Sequence, residues 1–312
     1  MGDAQAVFFA VTCHLDGNPL HDKEVLGYGK TGVVTCRDTV AVKIPLRHPW
    51  SSDEDVQTNV EVLEREQGIY HRLNHLPREQ IDYIVPCLGL YKNATHLGYM
   101  ENGDLRTYMT ENRPSRALQI TWFRQMAQAL EQIHDKRVLV ADVATRNFLL
   151  DSDLSIRFCD FSEASLLPID TVMETADDDG FSIQTDIGQL GAVMYEVITR
   201  QKCDFDLFQE GVPLDGRASW PRRDSLPSTD GLWLGSIIEK CWVEGGFQNA
   251  HALSQALYSV DIAHTSLWSK LTSMSCWDRQ GQIRNSVVML AVVVTAVAIA
   301  GSWTRRQPLT RG

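Results

Sequence analysis

Apolar residues in this chain occur in two kinds of pattern. Around residues 25–44 they form short β-rich runs, which predict strands. In residues 53–75 and 118–134 they recur at intervals of three and four, so both stretches are predicted to be amphipathic helices with one face toward a core. Residues 286–303 contain no charged residue at all. The pattern therefore predicts strands first, helices afterwards, and an apolar segment near the end.

Three short apolar runs in the middle of the chain surround two polar loops. These runs are residues 138–140, 148–150 and 156–158, and they predict short buried strands. Asp142 is followed five residues later by Asn147, and Asp160 follows the third run. Phosphoryl transfer needs one carboxylate that orients the acceptor hydroxyl, and an amide and a second carboxylate that hold metal ions at the phosphates. The spacing resembles the catalytic loop of protein kinases.

A glycine-rich segment precedes these loops. Gly27, Gly29, Gly32 and Val34 match the spacing G-x-G-x-x-G-x-V, and the next β-rich run ends in Lys43. A Walker phosphate loop would need a glycine four positions before Gly29, where a valine stands. A dinucleotide-binding turn would open directly into a helix. The lysine therefore favours the resemblance to protein kinases.

The resemblance implies an ATP site that uses Mg²⁺, with Mn²⁺ as a possible substitute. The glycine-rich segment would cover the phosphates, and Lys43 would contact the α and β phosphates. Glu66 in the following helix would pair with Lys43, and Glu64 is the alternative partner. The segment that contains Tyr99 and Met100 resembles the hinge, where backbone groups meet adenine.

The same resemblance assigns the remaining catalytic roles. Asp142 would orient the acceptor hydroxyl, and Arg146 lies four residues beyond it as a further catalytic residue. Asn147 and Asp160 would hold the metal ions. These assignments describe a complete phosphotransfer site.

Two later segments resemble the helical part of protein kinases. Residues 186–198 match its central helix, whose leading Asp186 braces the catalytic loop, and residues 237–242 match a later helix that ends in Cys-Trp. Kinases of small molecules share the catalytic loop but not this helical layer. The resemblance therefore indicates a protein kinase.

The chain departs from the family pattern at four places. Val140 and Ala141 stand where His and Arg usually precede the catalytic Asp, so this position offers no cation to a phosphate on the activation segment. Ser162 replaces the glycine of D-F-G. Neither A-P-E before Asp186 nor R-P after Trp242 is present, so the usual buried Glu–Arg pair under the peptide platform is missing.

The predicted activity is transfer of the ATP γ-phosphate to a protein hydroxyl. Ala144 and Arg146 follow the tyrosine-kinase form of the loop, but two residues are too short a signal to choose the acceptor. The prediction nevertheless places serine or threonine ahead of tyrosine. The alternative is a pseudokinase scaffold that binds nucleotide or a partner protein without catalysis. Lysine, glutamate, asparagine and both aspartates are all in place, which favours the enzyme.

Composition narrows the class of protein further. The formal charge of −11 and the pI of about 5.3 argue against a nucleic-acid partner. The seven cysteines are scattered singly and form no C-x-x-C motif, which indicates neither a zinc site nor a disulfide framework and fits a reducing cytosol.

The predicted fold is α+β, a two-lobed protein-kinase-like fold with a small β-rich lobe, a larger helical lobe and a C-terminal transmembrane helix. The predicted parts are an N-terminal extension (1–23), the kinase-like domain (24–262, with lobes 24–98 and 103–262), a linker (263–285), the transmembrane helix (286–303) and a short basic tail (304–312).

The apolar segment 286–303 would be about 27 Å long as a helix, close to the thickness of a bilayer core. A buried strand or core helix is the alternative, but core strands are rarely so long. Arg284 on one side and Arg305 and Arg306 on the other resemble headgroup anchors. The prediction is a single-pass C-terminal anchor with the kinase domain facing the cytosol.

Overall fold

The structure is a computed structural model, and it describes residues 12–20, 24–73, 82–208 and 216–261. The described residues up to Val260 belong to one compact unit. They form a β-rich part followed by a helical part, so the predicted α+β architecture is confirmed for this unit. The predicted linker, transmembrane helix and basic tail lie outside the described residues. Among the described helices, none is long and apolar enough to cross a membrane.

The β-rich part is one antiparallel sheet of five strands in the order β1-β2-β3-β5-β4. Its strands are β1 (Val25–Tyr28), β2 (Gly32–Arg37), β3 (Val40–Pro45), β4 (Cys87–Tyr91) and β5 (Ala94–Gly98). Lys43 stands opposite Val34 on one side and Thr95 on the other. This central register places the lysine beside the turn between β1 and β2.

Helix α1 (Asp53–Leu73) packs against β3 and β5. Its first turn carries three acidic residues and its last turn His71 and Arg72, which suits the helix dipole at both ends. Val56, Leu63 and other residues on one face are buried. The helix matches the predicted one up to Leu73, and the last two predicted positions lie outside the described residues.

The helical part is built around two long helices. Its helices are α2 (Leu105–Glu111), α3 (Arg116–Asp135), α4 (Ile183–Thr199), α5 (Gly235–Cys241) and α6 (Ala250–Tyr258). Helix α3 packs against α4 and α6, and α4 packs against α5. Helix α3 extends the predicted stretch by two residues at its start and by one at its end. The side chain of Ser115 caps the first turn, which explains the earlier start.

Helix α4 begins three residues before the predicted start. A reciprocal capping box explains the difference: Ser182 accepts from the backbone of Thr185, and the Thr185 hydroxyl accepts from the backbone of Ser182. Two orphan N–H groups are satisfied in this way, so the first turn forms before the apolar stripe begins.

Four short strands lie between α3 and α4 in the chain. They are β6 (Val138–Leu139), β7 (Phe148–Leu150), β8 (Ile156–Phe158) and β9 (Ser165–Leu166), paired β6 with β9 and β7 with β8. The first run was predicted to continue through Val140, but β6 ends at Leu139. The N–H of Val140 instead donates to the carboxylate of Asp186, and Ala141 takes a φ of 63°, so the chain leaves the strand there.

Residues 12–20, part of the predicted N-terminal extension, contact the sheet. The N–H of Cys13 donates to the carbonyl of Arg47 at 2.9 Å, and the guanidinium of Arg47 donates to the carbonyl of Leu15. Thr12, Cys13 and Leu20 are buried. These residues therefore fold against the end of β3.

Substitution of two helical glycines by alanine should change the free energy of unfolding in opposite directions. A Cβ at Gly191 in α4 would lie 2.7 Å from the Cβ of Cys241, which is buried in α5, whereas a Cβ at Gly68 in α1 would meet only Leu166 at 3.8 Å. Gly191→Ala should therefore lower the free energy of unfolding by about 1–3 kcal/mol. Gly68→Ala should raise it by about 0.5–1 kcal/mol, because alanine suits a helix interior. Urea denaturation of both variants measures the two effects, and a stabilised Gly191→Ala would contradict the close approach of α4 and α5.

Candidate active site

A buried ion pair joins the sheet to α1. The ammonium of Lys43 lies 2.8 Å from the carboxylate of Glu66 and 2.8 Å from that of Asp160. Glu66 is fully buried, whereas Glu64 is exposed. The structure thus brings the preferred glutamate to the lysine and not the alternative one.

The charges of this cluster support one another. Burial on its own would lower the pKa of Lys43, but the carboxylates of Glu66 and Asp160 outweigh it and raise the pKa above its ordinary value. Burial would likewise raise the pKa of Asp160, yet the neighbouring ammonium holds it below the ordinary value. A cation and a carboxylate therefore face the cavity at neutral pH.

Asp160 is held at the point where the chain turns after β8. It takes a φ of 66°, and the N–H of Ser162 donates to its carboxylate at 3.2 Å. The N–H of Phe161 donates to Glu66 at 3.1 Å, and its ring packs edge-on against Tyr70 of α1 at 5.2 Å. Because the positive φ falls on Asp160 and not on Ser162, the serine at the usual glycine position fits without backbone strain.

The loop between β6 and β7 concentrates three polar side chains. The amide of Asn147 donates to the backbone carbonyl and to the carboxylate of Asp142, both at 2.9 Å. Nη2 of Arg146 donates to both oxygens of the same carboxylate, at 2.5 and 2.6 Å. Asp142 is thereby fixed in orientation, while its side chain stays 29% exposed and can meet a substrate.

Asp186, at the start of α4, braces this loop from below. Its carboxylate accepts from the N–H groups of Val140 and Ala141 at 2.9 and 2.8 Å and contacts Nε2 of His134 at 2.9 Å. Asp186 is fully buried. The role that the resemblance assigned to Asp186 therefore has a direct geometric basis.

All the predicted site residues line one cavity of about 1040 Å³. They are Gly27, Gly29, Gly32, Val34, Lys43, Glu66, Tyr99, Met100, Asp142, Arg146, Asn147 and Asp160. The size exceeds that of most drug-sized pockets and accommodates a nucleotide together with part of a second substrate. One of the glycines makes close contacts: a Cβ at Gly32 would lie 3.2 Å from both the Cε of Lys43 and the carbonyl oxygen of Ile44, so any side chain there would be tightly packed.

A model of the family described as "Protein kinase domain" matches residues 20–203, more than half of the chain. The chain belongs to the protein kinase domain family. Its curated relatives include a probable serine/threonine-protein kinase of Dictyostelium discoideum, 28% identical over 189 residues (55% of this chain and 35% of that protein). The tyrosine-protein kinase JAK3 of Rattus norvegicus is 28% identical over 162 residues, which cover 44% of this chain and 14% of JAK3. The tyrosine-protein kinase receptor TYRO3 of Danio rerio is 25% identical over 126 residues, 33% of this chain and 14% of the receptor. The chain thus spans about a third or less of the length of these relatives.

The residues of this kinase domain fit a magnesium ion bound together with phosphates. Asp160 supplies a carboxylate, and the amide nitrogen of Asn147 is committed to Asp142, which leaves its oxygen as the available ligand. In the part of the chain that the structure describes, no group of three or more His, Cys, Asp and Glu side chains could hold a metal by itself. Mg²⁺ characteristically binds through one or two carboxylates and the substrate's phosphates, so two protein ligands suffice.

Several residues of the kinase domain contribute to the site without having been predicted. Apolar side chains of Ala41, Val85, Leu97 and Leu149 line the cavity and suit a flat purine ring. In the sequence they are ordinary apolar residues, and many core residues look the same. Gln189 was missed as well: its amide donates to the carbonyl of Ala141 at 2.8 Å and accepts from the N–H of Val143 at 3.0 Å.

The platform that lacks the usual Glu–Arg pair is held by other contacts. The amide of Gln184, in the first turn of α4, donates to the carbonyls of Phe247 and Gln248 at 2.9 and 3.0 Å. The acidic segment before α4 contacts Arg217, which pairs with Asp177 and lies 3.6 Å from Asp179. Neutral amide hydrogen bonds and exposed ion pairs thus hold the start of α4 and the acidic segment before it.

The ion pair of Lys43 gives a prediction with a matched control. Glu66→Gln should lower the affinity for Mg-ATP at least tenfold, because the lysine would lose one of its two orienting carboxylates. It should also lower the free energy of unfolding by about 1–3 kcal/mol, since a buried charged group keeps only Asp160 as its counterion. Glu64→Gln removes an exposed charge from the same helix and should change neither value by more than about 0.5 kcal/mol. Urea denaturation and isothermal calorimetry measure both, and equal effects of the two substitutions would contradict the assignment.

Proposed function

We propose that this chain is an ATP-dependent protein kinase that transfers the γ-phosphate to a side-chain hydroxyl of another protein. The observation that carries the proposal is the contact of the Lys43 ammonium with both Glu66 and Asp160. These three residues line the same cavity as Asp142 and Asn147. These groups are required together, because phosphoryl transfer depends on positioning and on compensation of charge.

Each side chain has a separate task in this reaction. Lys43 attracts the phosphates of the nucleotide, and Glu66 keeps the lysine from turning away. Mg²⁺ held by Asn147 and Asp160 would neutralise charge on the phosphates. Asp142 accepts a hydrogen bond from the incoming hydroxyl and aligns it with the phosphorus. The Arg146 guanidinium that now contacts Asp142 offsets the negative charge gathered there.

For the acceptor we propose serine or threonine ahead of tyrosine. The serine/threonine relative matches 55% of the chain, whereas the two tyrosine kinases match 44% and 33%. The spacing of Ala144 and Arg146 resembles the tyrosine form and weighs against this choice. Two peptides that differ only in a serine or a tyrosine at the acceptor position distinguish the alternatives.

We also propose that residues 286–303 anchor the protein in a membrane with the kinase domain on the cytosolic side. The support is the charge-free stretch of 18 residues between arginines, which is long enough to span a bilayer core. The basic tail would then lie on the far side of the membrane, although Lys and Arg are usually enriched on the cytosolic side of membrane proteins.

Asp142→Asn separates catalysis from nucleotide binding. It should reduce phosphate transfer at least a thousandfold, because an amide cannot take up the acceptor proton as a carboxylate does. The melting temperature should still rise by several degrees with ATP, and only when Mg²⁺ is present, because Asp142 is not among the proposed metal ligands. Autophosphorylation and thermal melts of both proteins at equal concentration provide the measurement.

Equal incorporation of label by wild type and Asp142→Asn would remove the case for an active enzyme. The pseudokinase scaffold would then be the better assignment, particularly if no nucleotide shifts the melting temperature of either protein.

The anchor is tested by fractionation. The full chain should stay with membranes after alkaline carbonate extraction, and Val293→Arg should release a large part of it, because a charge near the middle of the segment costs about 2.5–3.5 kcal/mol. Phosphate transfer by the released protein should match that of the wild type. Complete extraction of the wild type would refute the anchor, and protection of the kinase domain from protease in intact organelles would refute the orientation.

A further inference from the structure

A second cavity of about 470 Å³ lies at the end of α3, away from the nucleotide cavity. The segment before α4 and the start of α6 complete its wall, and it shares no lining residue with the first cavity. We call it the α3–α6 cavity. Its charged and titratable lining residues are Glu131, His134, Asp135, Arg137, Asp170, Glu174 and His251. The phosphotransfer reaction proposed above uses none of them directly.

The wall of the α3–α6 cavity is strongly acidic. It carries four carboxylates and one guanidinium. Among the described residues, no ion pair neutralises Asp135, Asp170 or Glu174. Glu131 lies 2.6 Å from Nδ1 of His251, and the amide nitrogen of Gln255 lies 2.7 Å from the other ring nitrogen. The cavity therefore attracts cations.

A buried acceptor in the same wall lacks a partner. His134 is 5% exposed, and its Nε2 faces the carboxylate of Asp186, which also accepts two backbone N–H groups. These contacts place a proton on Nε2, and in the neutral ring Nδ1 then carries a lone pair. No described residue donates to that Nδ1, which is buried. A buried acceptor without a donor is costly, so this atom is suited to a ligand that brings an N–H group.

Arg137 adds the opposite requirement. One of its terminal nitrogens donates to the backbone carbonyl of Asp135, while its buried Nε has no partner among the described residues. It needs an acceptor. A phosphate would satisfy Arg137 but would meet four carboxylates. A bare cation would satisfy the carboxylates but not Arg137. A basic amino-acid residue offers both, N–H donors on its side chain and a carbonyl on its backbone.

We propose that the α3–α6 cavity is a docking site for a basic segment of a partner protein, with one lysine or arginine side chain inserted toward Nδ1 of His134 and between the carboxylates. The exposed Val172, at 61%, offers an apolar contact at the rim for the residue next to the basic one. The net charge of −11 steers basic partners toward this chain in general, and the cavity gives them a specific place. This site goes beyond the proposed function and does not depend on it.

Occupation of the cavity would reach the catalytic loop through three hydrogen-bonded steps. A donor at Nδ1 stabilises the form of His134 that donates from Nε2 to Asp186. Asp186 in turn holds the N–H groups of Val140 and Ala141, directly before Asp142. His134 is thus a positioning residue for the loop, and three successive hydrogen bonds would link the docked side chain to the backbone directly before Asp142.

The test measures binding of labelled peptides to the full chain in mild detergent by fluorescence anisotropy. One octapeptide contains two arginines, and its partner contains citrulline, the neutral analogue, at both positions. The variant Asp170→Asn/Glu174→Gln removes two exposed carboxylates from the wall, so its fold should be intact. Glu61→Gln/Glu64→Gln removes two exposed carboxylates from α1 and serves as the matched control.

The arginine peptide should bind at least tenfold more tightly than the citrulline peptide, and the wall variant should abolish that difference while the α1 variant keeps it. Binding should also shift the ¹⁵N signal of one unprotonated histidine ring nitrogen in the wild type and not in the wall variant. Equal affinity of the two peptides, or equal loss in both variants, would overturn the site. Displacement of the peptide by spermidine at equal concentration would overturn the assignment to a protein segment, because a free amine would then suffice.

Discussion

The pairing of the buried Lys43 ammonium with two carboxylates is the interaction on which the active-site geometry depends. The ammonium needs two carboxylates to remain charged away from water, and these come from α1 and from the turn after β8. The sheet, the helix and the turn after β8 must therefore all assemble before the three charges are compensated together. The aromatic contact between Tyr70 and Phe161 fills the space beside this cluster with apolar surface.

Asp186 performs the equivalent function for the catalytic loop, with the backbone as its partner. Because it grips N–H groups, the identity of the side chains at positions 140 and 141 matters little to this contact. Val140 is buried among apolar residues, and Ala141 takes a left-handed conformation. The loop thus keeps its shape although two of the usual residues are replaced.

Local motifs made much of this predictable from the sequence. Fixed spacings within single segments relate Gly32 to Lys43 and Asp142 to Asn147. Their proposed roles could therefore be predicted without knowledge of the fold. Helix ends were less predictable, since Ser115 and Ser182 begin helices before the apolar stripe does. The orphan atoms of the α3–α6 cavity could not be predicted at all, because its wall joins residues more than a hundred positions apart in the chain.

Gln184 holds the start of α4 without using any charge. Its amide is an uncharged donor bonded to the backbone carbonyls of Phe247 and Gln248. Mobile ions screen charge pairs near the surface and leave neutral hydrogen bonds almost unaffected. The contact between α4 and residues 247–248 should consequently keep its strength at different salt concentrations and at acidic pH. A carboxylate in the same place would not do so.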